Sequence, residues 1–150
     1  MLGSAVLEQL TMEGRVALDF SGEWILNRQV SSLSEGAAAI ESGALWIDHD
    51  DPKCRFRINM KAGGESVVRA WEGNVSDRME VAAGGFWNRL FWDEDALVFD
   101  CGSDSPDNRW TMSWRYKLMT DGQRLRAVEQ MRGDGRNFEN IWVFERSHTG

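Results

Sequence analysis

Six polar side chains fall on strand faces that otherwise carry apolar residues: His49, Arg69, Asn88, Tyr116, Glu129 and Asn140. A charge on such a face is costly unless it is paired or hydrogen-bonded. One reading is structural, with Arg69 and Glu129 neutralising each other as an ion pair, or a register shifted by a single residue that turns them outward. The other is a ligand site in which Arg69 holds a carbonyl or carboxylate and Tyr116 and Asn88 donate hydrogen bonds. Glu129 or His49 would then move a proton, so Glu129, Tyr116 and His49 are the catalytic candidates. Burial alone favours the neutral acid of Glu129, whereas pairing with Arg69 favours its carboxylate.

The chain contains eight tryptophans. They can fill a core, since each ring brings a large apolar area and an N–H that needs a single partner. They can equally line a cavity for a flat or hydrophobic ligand, with Phe56, Trp71, Trp110, Trp114 and Trp142 as walls beside Tyr116, Arg69, Asn88 and Asn140.

Metal and cofactor chemistry find little support. Only His49 and His148 are available as imidazole ligands, too few for a zinc or iron site built on two or three histidines. The acidic turn Asp48-His49-Asp50-Asp51 reads as a solvated turn before it reads as a hard-cation site. Phosphate-binding glycine motifs and a recognisable Ser/His/Asp set are absent from the sequence. No metal and no cofactor are expected.

The elements that must position these residues are strands. In the stretch 108–119, Trp110, Met112, Trp114, Tyr116 and Leu118 fall on one side, while Arg109, Thr111, Ser113, Arg115 and Lys117 fall on the other. Similar strands are placed near 44–50, 54–61, 66–73, 76–82, 86–93, 96–101, 124–132 and 138–146, after a first strand that begins near Arg15. Turn residues separate them, among them Gly63-Gly64, Asp93-Glu94-Asp95 and Asp121-Gly122. Residues 31–43 read as a long loop or short helix, and residues 3–13 as a short amphipathic helix capped by Ser4. The expectation is an all-β fold: a single antiparallel up-and-down β-barrel of about 8–10 strands over residues 15–150, preceded by a leader or short helix over 1–14.

With 150 residues and no break in composition, one domain is expected. The net charge of -7 would repel a polyanion, so no nucleic-acid partner is expected. No stretch approaches a membrane span, and the N-terminus does not read as a secretory signal, so the expected location is cytoplasmic. Cys54 and Cys101 belong to no CxxC or Cys/His cluster and are read as buried free thiols. A homodimer is left open.

Phe20-Ser21-Gly22-Glu23-Trp24 resembles the Gly-x-Trp signature on the first strand of lipocalins and related calycin barrels. Val143-Phe144-Glu145-Arg146 resembles their closing strand, whose Arg packs over that Trp. The ordered set of Phe20–Asn27, Ile47–Pro52, Asp95–Val98, Asp121-Gly122 and Val143–Arg146 is similar to small bacterial lipocalin-like domains of unassigned function. The resemblance implies a barrel in which Trp24 and Arg146 close one end by cation–π stacking. The chain departs from secreted lipocalins in having no evident signal peptide or disulfide, which argues against an extracellular carrier.

Taken together, residues and resemblance lead to a barrel that binds a hydrophobic small molecule, aromatic or polyketide-like, in its interior. The competing expectation is a cofactor-independent cyclase, isomerase or lyase using acid–base residues in the same pocket. A third is a structural domain with a filled core.

Overall fold

Alternating apolar and polar residues produce ten strands among the described residues of the computed structural model, which are 19–76, 78–119, 122–133 and 135–147. They are β1 (Gly22–Leu26), β2 (Ile40–Asp50), β3 (Lys53–Ala62), β4 (Glu65–Asn74), β5 (Glu80–Val81), β6 (Phe86–Asp93), β7 (Ala96–Ser105), β8 (Asn108–Met119), β9 (Arg124–Gly133) and β10 (Phe138–Arg146). All pairings between these strands are antiparallel, and the sheet order is β4-β3-β2-β1-β10-β9-β8-β7-β6-β5. Chain neighbours therefore pair throughout except at the β4/β5 seam, and β1 pairs with β10 to join the two arms. This is an up-and-down β-barrel, as expected.

Local chemistry sets the turns and the faces. Ala62 pairs with Glu65, so Gly63 and Gly64 form a two-residue hairpin loop, and both have positive φ, 59° and 82°. Glycine takes that conformation without a Cβ clash. Along β9, Leu125, Ala127, Glu129 and Met131 are buried while Arg126 and Arg132 are exposed. The core gathers Trp24, Leu45, Phe56, Leu97, Tyr116, Leu125 and Phe144, each at most 2 % exposed. Each such side chain taken from water contributes roughly 1.5–3 kcal/mol.

One barrel end is closed as the resemblance implied. The Arg146 guanidinium lies 4.2 Å from the centre of the Trp24 ring. It donates from Nε to the Gly122 carbonyl at 2.9 Å and from Nη1 to the Ser21 carbonyl at 2.8 Å. Trp24 Nε1 donates to the Phe20 carbonyl at 3.0 Å. Gly22 makes room for this, because a Cβ there would stand 2.9 Å from Arg146 Nη1.

Among the described residues the seam is bonded at one level only. Val75 bridges Leu90, and the Ser76 N–H donates to the Leu90 carbonyl at 2.8 Å. Toward Glu65–Arg69, β4 has no strand partner on its outer edge among the described residues, and Val67 and Val68 are 46 % and 53 % exposed.

Three boundary expectations change. Within 31–43, Ser32 bridges Ile141, turns follow, and Ile40 already opens β2, because the segment is tied to β10 rather than free to coil. The strand placed at 76–82 shrinks to two residues beside the seam, and β7 runs on to Ser105. The helix placed at 3–13 and the strand start near Arg15 lie outside the described residues.

Candidate functional site

The site is built on a row across three strands, in which Trp114 of β8 and Asn140 of β10 are both register partners of Glu129 in the middle of β9. Alternation points this row inward, and the carboxylate finds its partners there. Asn140 Nδ2 and Trp142 Nε1 both donate to Glu129 Oε1, each at 3.0 Å. Asn140 Oδ1 accepts from the Ser34 backbone N–H, so the 31–40 segment fixes the amide that fixes Glu129. Oε2 carries no hydrogen bond among the described residues.

From Glu129 a ladder of rings crosses the interior. Trp142 and Trp114 have centroids 6.5 Å apart, Trp114 and Tyr116 6.1 Å, Tyr116 and Phe56 5.2 Å, and Phe56 and Trp71 4.8 Å. Interplanar angles of 7° to 24° make each step a stacked contact. The ladder borders a cavity of about 200 Å³, bounded at its polar points by Arg69, Trp71, Tyr116 and Glu129 and otherwise by apolar side chains.

Those polar points are open. Tyr116 is 1 % exposed, and its hydroxyl has no hydrogen-bond partner among the described residues. Burial, then the neighbouring Cys54 and Glu129, holds its pKa well above the usual phenol value, so the hydroxyl stays neutral. Trp71 Nε1 is buried without a partner, and Arg69 makes no ion pair among the described residues. The four groups offer donors from Arg69 and Trp71, an acceptor from Glu129, and either from Tyr116.

The residues singled out from sequence divide accordingly. Arg69, Trp71, Trp114, Tyr116 and Glu129 meet around the cavity; Asn140 and Trp142 hold Glu129; Phe56 backs Trp71 and Tyr116. His49, Asn88 and Trp110 are not among the residues lining this cavity. His49 sits near the closed end between Phe20 and Trp92, 4 % exposed, with Nε2 3.3 Å from Asp51. Trp110 packs on Phe86 at 6.2 Å, and Asn88 lies between Glu80 and Cys101 in the sheet. The reason is axial: inward residues share a face but step along the strand by roughly 6.6 Å per pair, so Trp110 stands about 13 Å from Trp114. Among the described residues Arg69 and Glu129 form no ion pair; Asn140 and Trp142 bond Glu129 Oε1 instead. Leu45, Ile58, Phe99, Met112 and Phe144 also line the cavity, and only their inward parity marked them.

A larger open groove of about 440 Å³ lies over β2, β3 and β4, against Trp46, Asp48, Arg55, Arg57 and Glu72. Its charged groups are already engaged: Arg55 reaches Asp48 at 3.6 Å and Glu72 at 3.2 Å, and the Arg57 guanidinium lies 5.7 Å from the centre of the neutral Trp46 ring. Such exposed pairs are ordinary surface chemistry.

Among the described residues no group of three or more His, Cys, Asp or Glu could hold a metal ion, and no helix is long and apolar enough to cross a membrane. Cys54 and Cys101 are free and buried. No protein-family model matches the sequence, and no curated protein matches it. Among solved structures, the chain is similar to zebrafish ileal bile acid-binding protein, crystallised with cholic acid. The two are 10 % identical with a TM-score of 0.54, over 85 % of this chain and 98 % of the other. At that identity the likeness shows the fold alone, and it agrees with the strand order of an up-and-down β-barrel.

Proposed function

We propose that the barrel interior binds a hydrophobic small molecule, aromatic or polyketide-like. The observation that carries this reading is the aromatic-lined cavity whose polar points, Arg69, Trp71 Nε1, Tyr116 Oη and Glu129 Oε2, have no partners among the described residues. Trp71 Nε1 is buried without a partner, and an unpaired buried donor costs roughly 1–3 kcal/mol, which an acceptor on a bound ligand would offset. The solved neighbour was crystallised with cholic acid, which supports an interior ligand here by analogy of fold. At about 200 Å³ the cavity is below the roughly 300–1,000 Å³ of drug-sized sites, so a ligand of one or two rings fits it best. Two free buried thiols suit a reducing compartment, and we place the protein in the cytoplasm. Native mass spectrometry of protein from its own host tests the reading. A retained small molecule supports it, and a bare chain that also stays bare across a panel of aromatic compounds refutes it.

Glu129 favours a second reading. One oxygen is anchored by two donors and the other is free beside a neutral phenol, an arrangement suited to moving a proton on a bound substrate. A cofactor-independent isomerase, cyclase or lyase would use Glu129 as base and Tyr116 as hydrogen-bond donor. Conversion of the retained compound, lost by orders of magnitude in Glu129→Gln while binding persists, separates enzyme from carrier.

A further inference from the structure

Glu129 is 8 % exposed, and the two groups bonded to it, Asn140 and Trp142, are both neutral. Two N–H donors converging on Oε1 suit a carboxylate, yet no cation within ion-pair distance balances it among the described residues. Arg69, the cation lining the same cavity, is exposed and does not reach it. A buried anion held in place, with one oxygen bare and stacked aromatic rings beside it, lacks a positive partner. Tyr116 and Trp114 border the cavity next to Glu129, and aromatic faces attract cations, most strongly where water is excluded. The net charge of -7 also raises the local concentration of cations over anions.

We infer that the ligand carries a protonated amine, and that its ammonium binds Glu129 Oε2 beside Trp114 and Tyr116. This rests on the reading of the cavity as a ligand site and names the polar end of its occupant, an arylalkylamine. The ring system lies along the aromatic ladder, and an acceptor at the far end meets Trp71 Nε1, the buried donor that has no partner.

Isothermal titration of the full chain with tryptamine, tryptophol and indoleacetate tests the inference, because the three share a ring and differ in a cationic, neutral or anionic tail. Tryptamine binds at least tenfold more tightly than tryptophol, and indoleacetate binds more weakly than either. In Glu129→Gln the tenfold advantage of tryptamine over tryptophol disappears. If tryptophol or indoleacetate matches tryptamine on the wild-type chain, the amine is overturned and the pocket stands. If none of the three binds, and the wider aromatic panel also fails, the pocket itself is overturned. The wild-type comparison decides the matter even if Glu129→Gln does not fold.

Discussion

Asn140 and Glu129 form a buried pair, Nδ2 to Oε1 at 3.0 Å, and Asn140 links that carboxylate to the Ser34 backbone on the far side of its own amide. One side chain thus joins the 31–40 segment to the centre of the cavity. Asn140→Ala removes both bonds and leaves Glu129 with Trp142 alone. It should cost about 1.5–3 kcal/mol in chemical denaturation, the range for a hydrogen bond to a charged group. Asn140→Asp sets two carboxylates side by side and should cost more near neutral pH than in acid.

Arg146 and Trp24 close the barrel end, and their contribution is separable. Arg146→Ala loses a cation–π contact worth roughly 0.5–2 kcal/mol and the donors to the Ser21 and Gly122 carbonyls. A fall in melting temperature with unchanged ligand affinity is expected, because this end is remote from Glu129. Gly22→Ala should be destabilising as well, since Gly22 has φ 130° and its added Cβ would press on Arg146.

The thiols should be inert in the folded state. Burial, and after it Asp51, Asp48 and Asp19, pushes Cys54 up to about 12; burial and Asp100 push Cys101 up to about 11. At pH 8 a thiol reagent should label neither cysteine in native protein and both after denaturation. The folded values lie above the ordinary 9.0, so their stabilising contribution is complete below pH 9 and declines as pH rises toward 11–12. Tyr116, also raised, acts in the same direction above pH 10. Denaturation midpoints should therefore fall through the alkaline range, beginning near pH 9.

Tyr116→Phe distinguishes a site from a core. The hydroxyl has no hydrogen-bond partner among the described residues, so its removal should leave stability within about 0.5 kcal/mol or raise it. Ligand affinity should nevertheless drop. A stability loss above about 1 kcal/mol would mean that the hydroxyl serves the fold.

The barrel was legible because β8 and β9 alternate cleanly and because the Gly22/Trp24 and Arg146 ends could be recognised together. Inward parity also picked out Trp71, Trp114, Tyr116 and Glu129; Arg69, expected on the same interior face, lines the cavity but is exposed, because the outer part of β4 lies beside the seam. Parity gives a face and not a height, and for that reason His49, Asn88 and Trp110 were grouped with residues that sit elsewhere along the barrel axis. Nor could strand patterns show that Glu129 would be met by Asn140 and Trp142 rather than by Arg69. That choice depends on which strands neighbour β9: β10 pairs with β9 along eight positions, while β4 lies at the seam.

The most direct test of an interior ligand site is a tryptophan-fluorescence titration with one- and two-ring aromatic compounds, repeated on Trp114→Ala. Saturable one-site quenching by at least one compound, weakened about tenfold or more in the variant, is the expected result. Quenching that rises linearly with concentration, equal in both proteins and unchanged in denaturant, would show only collisions with exposed rings and would contradict an interior site.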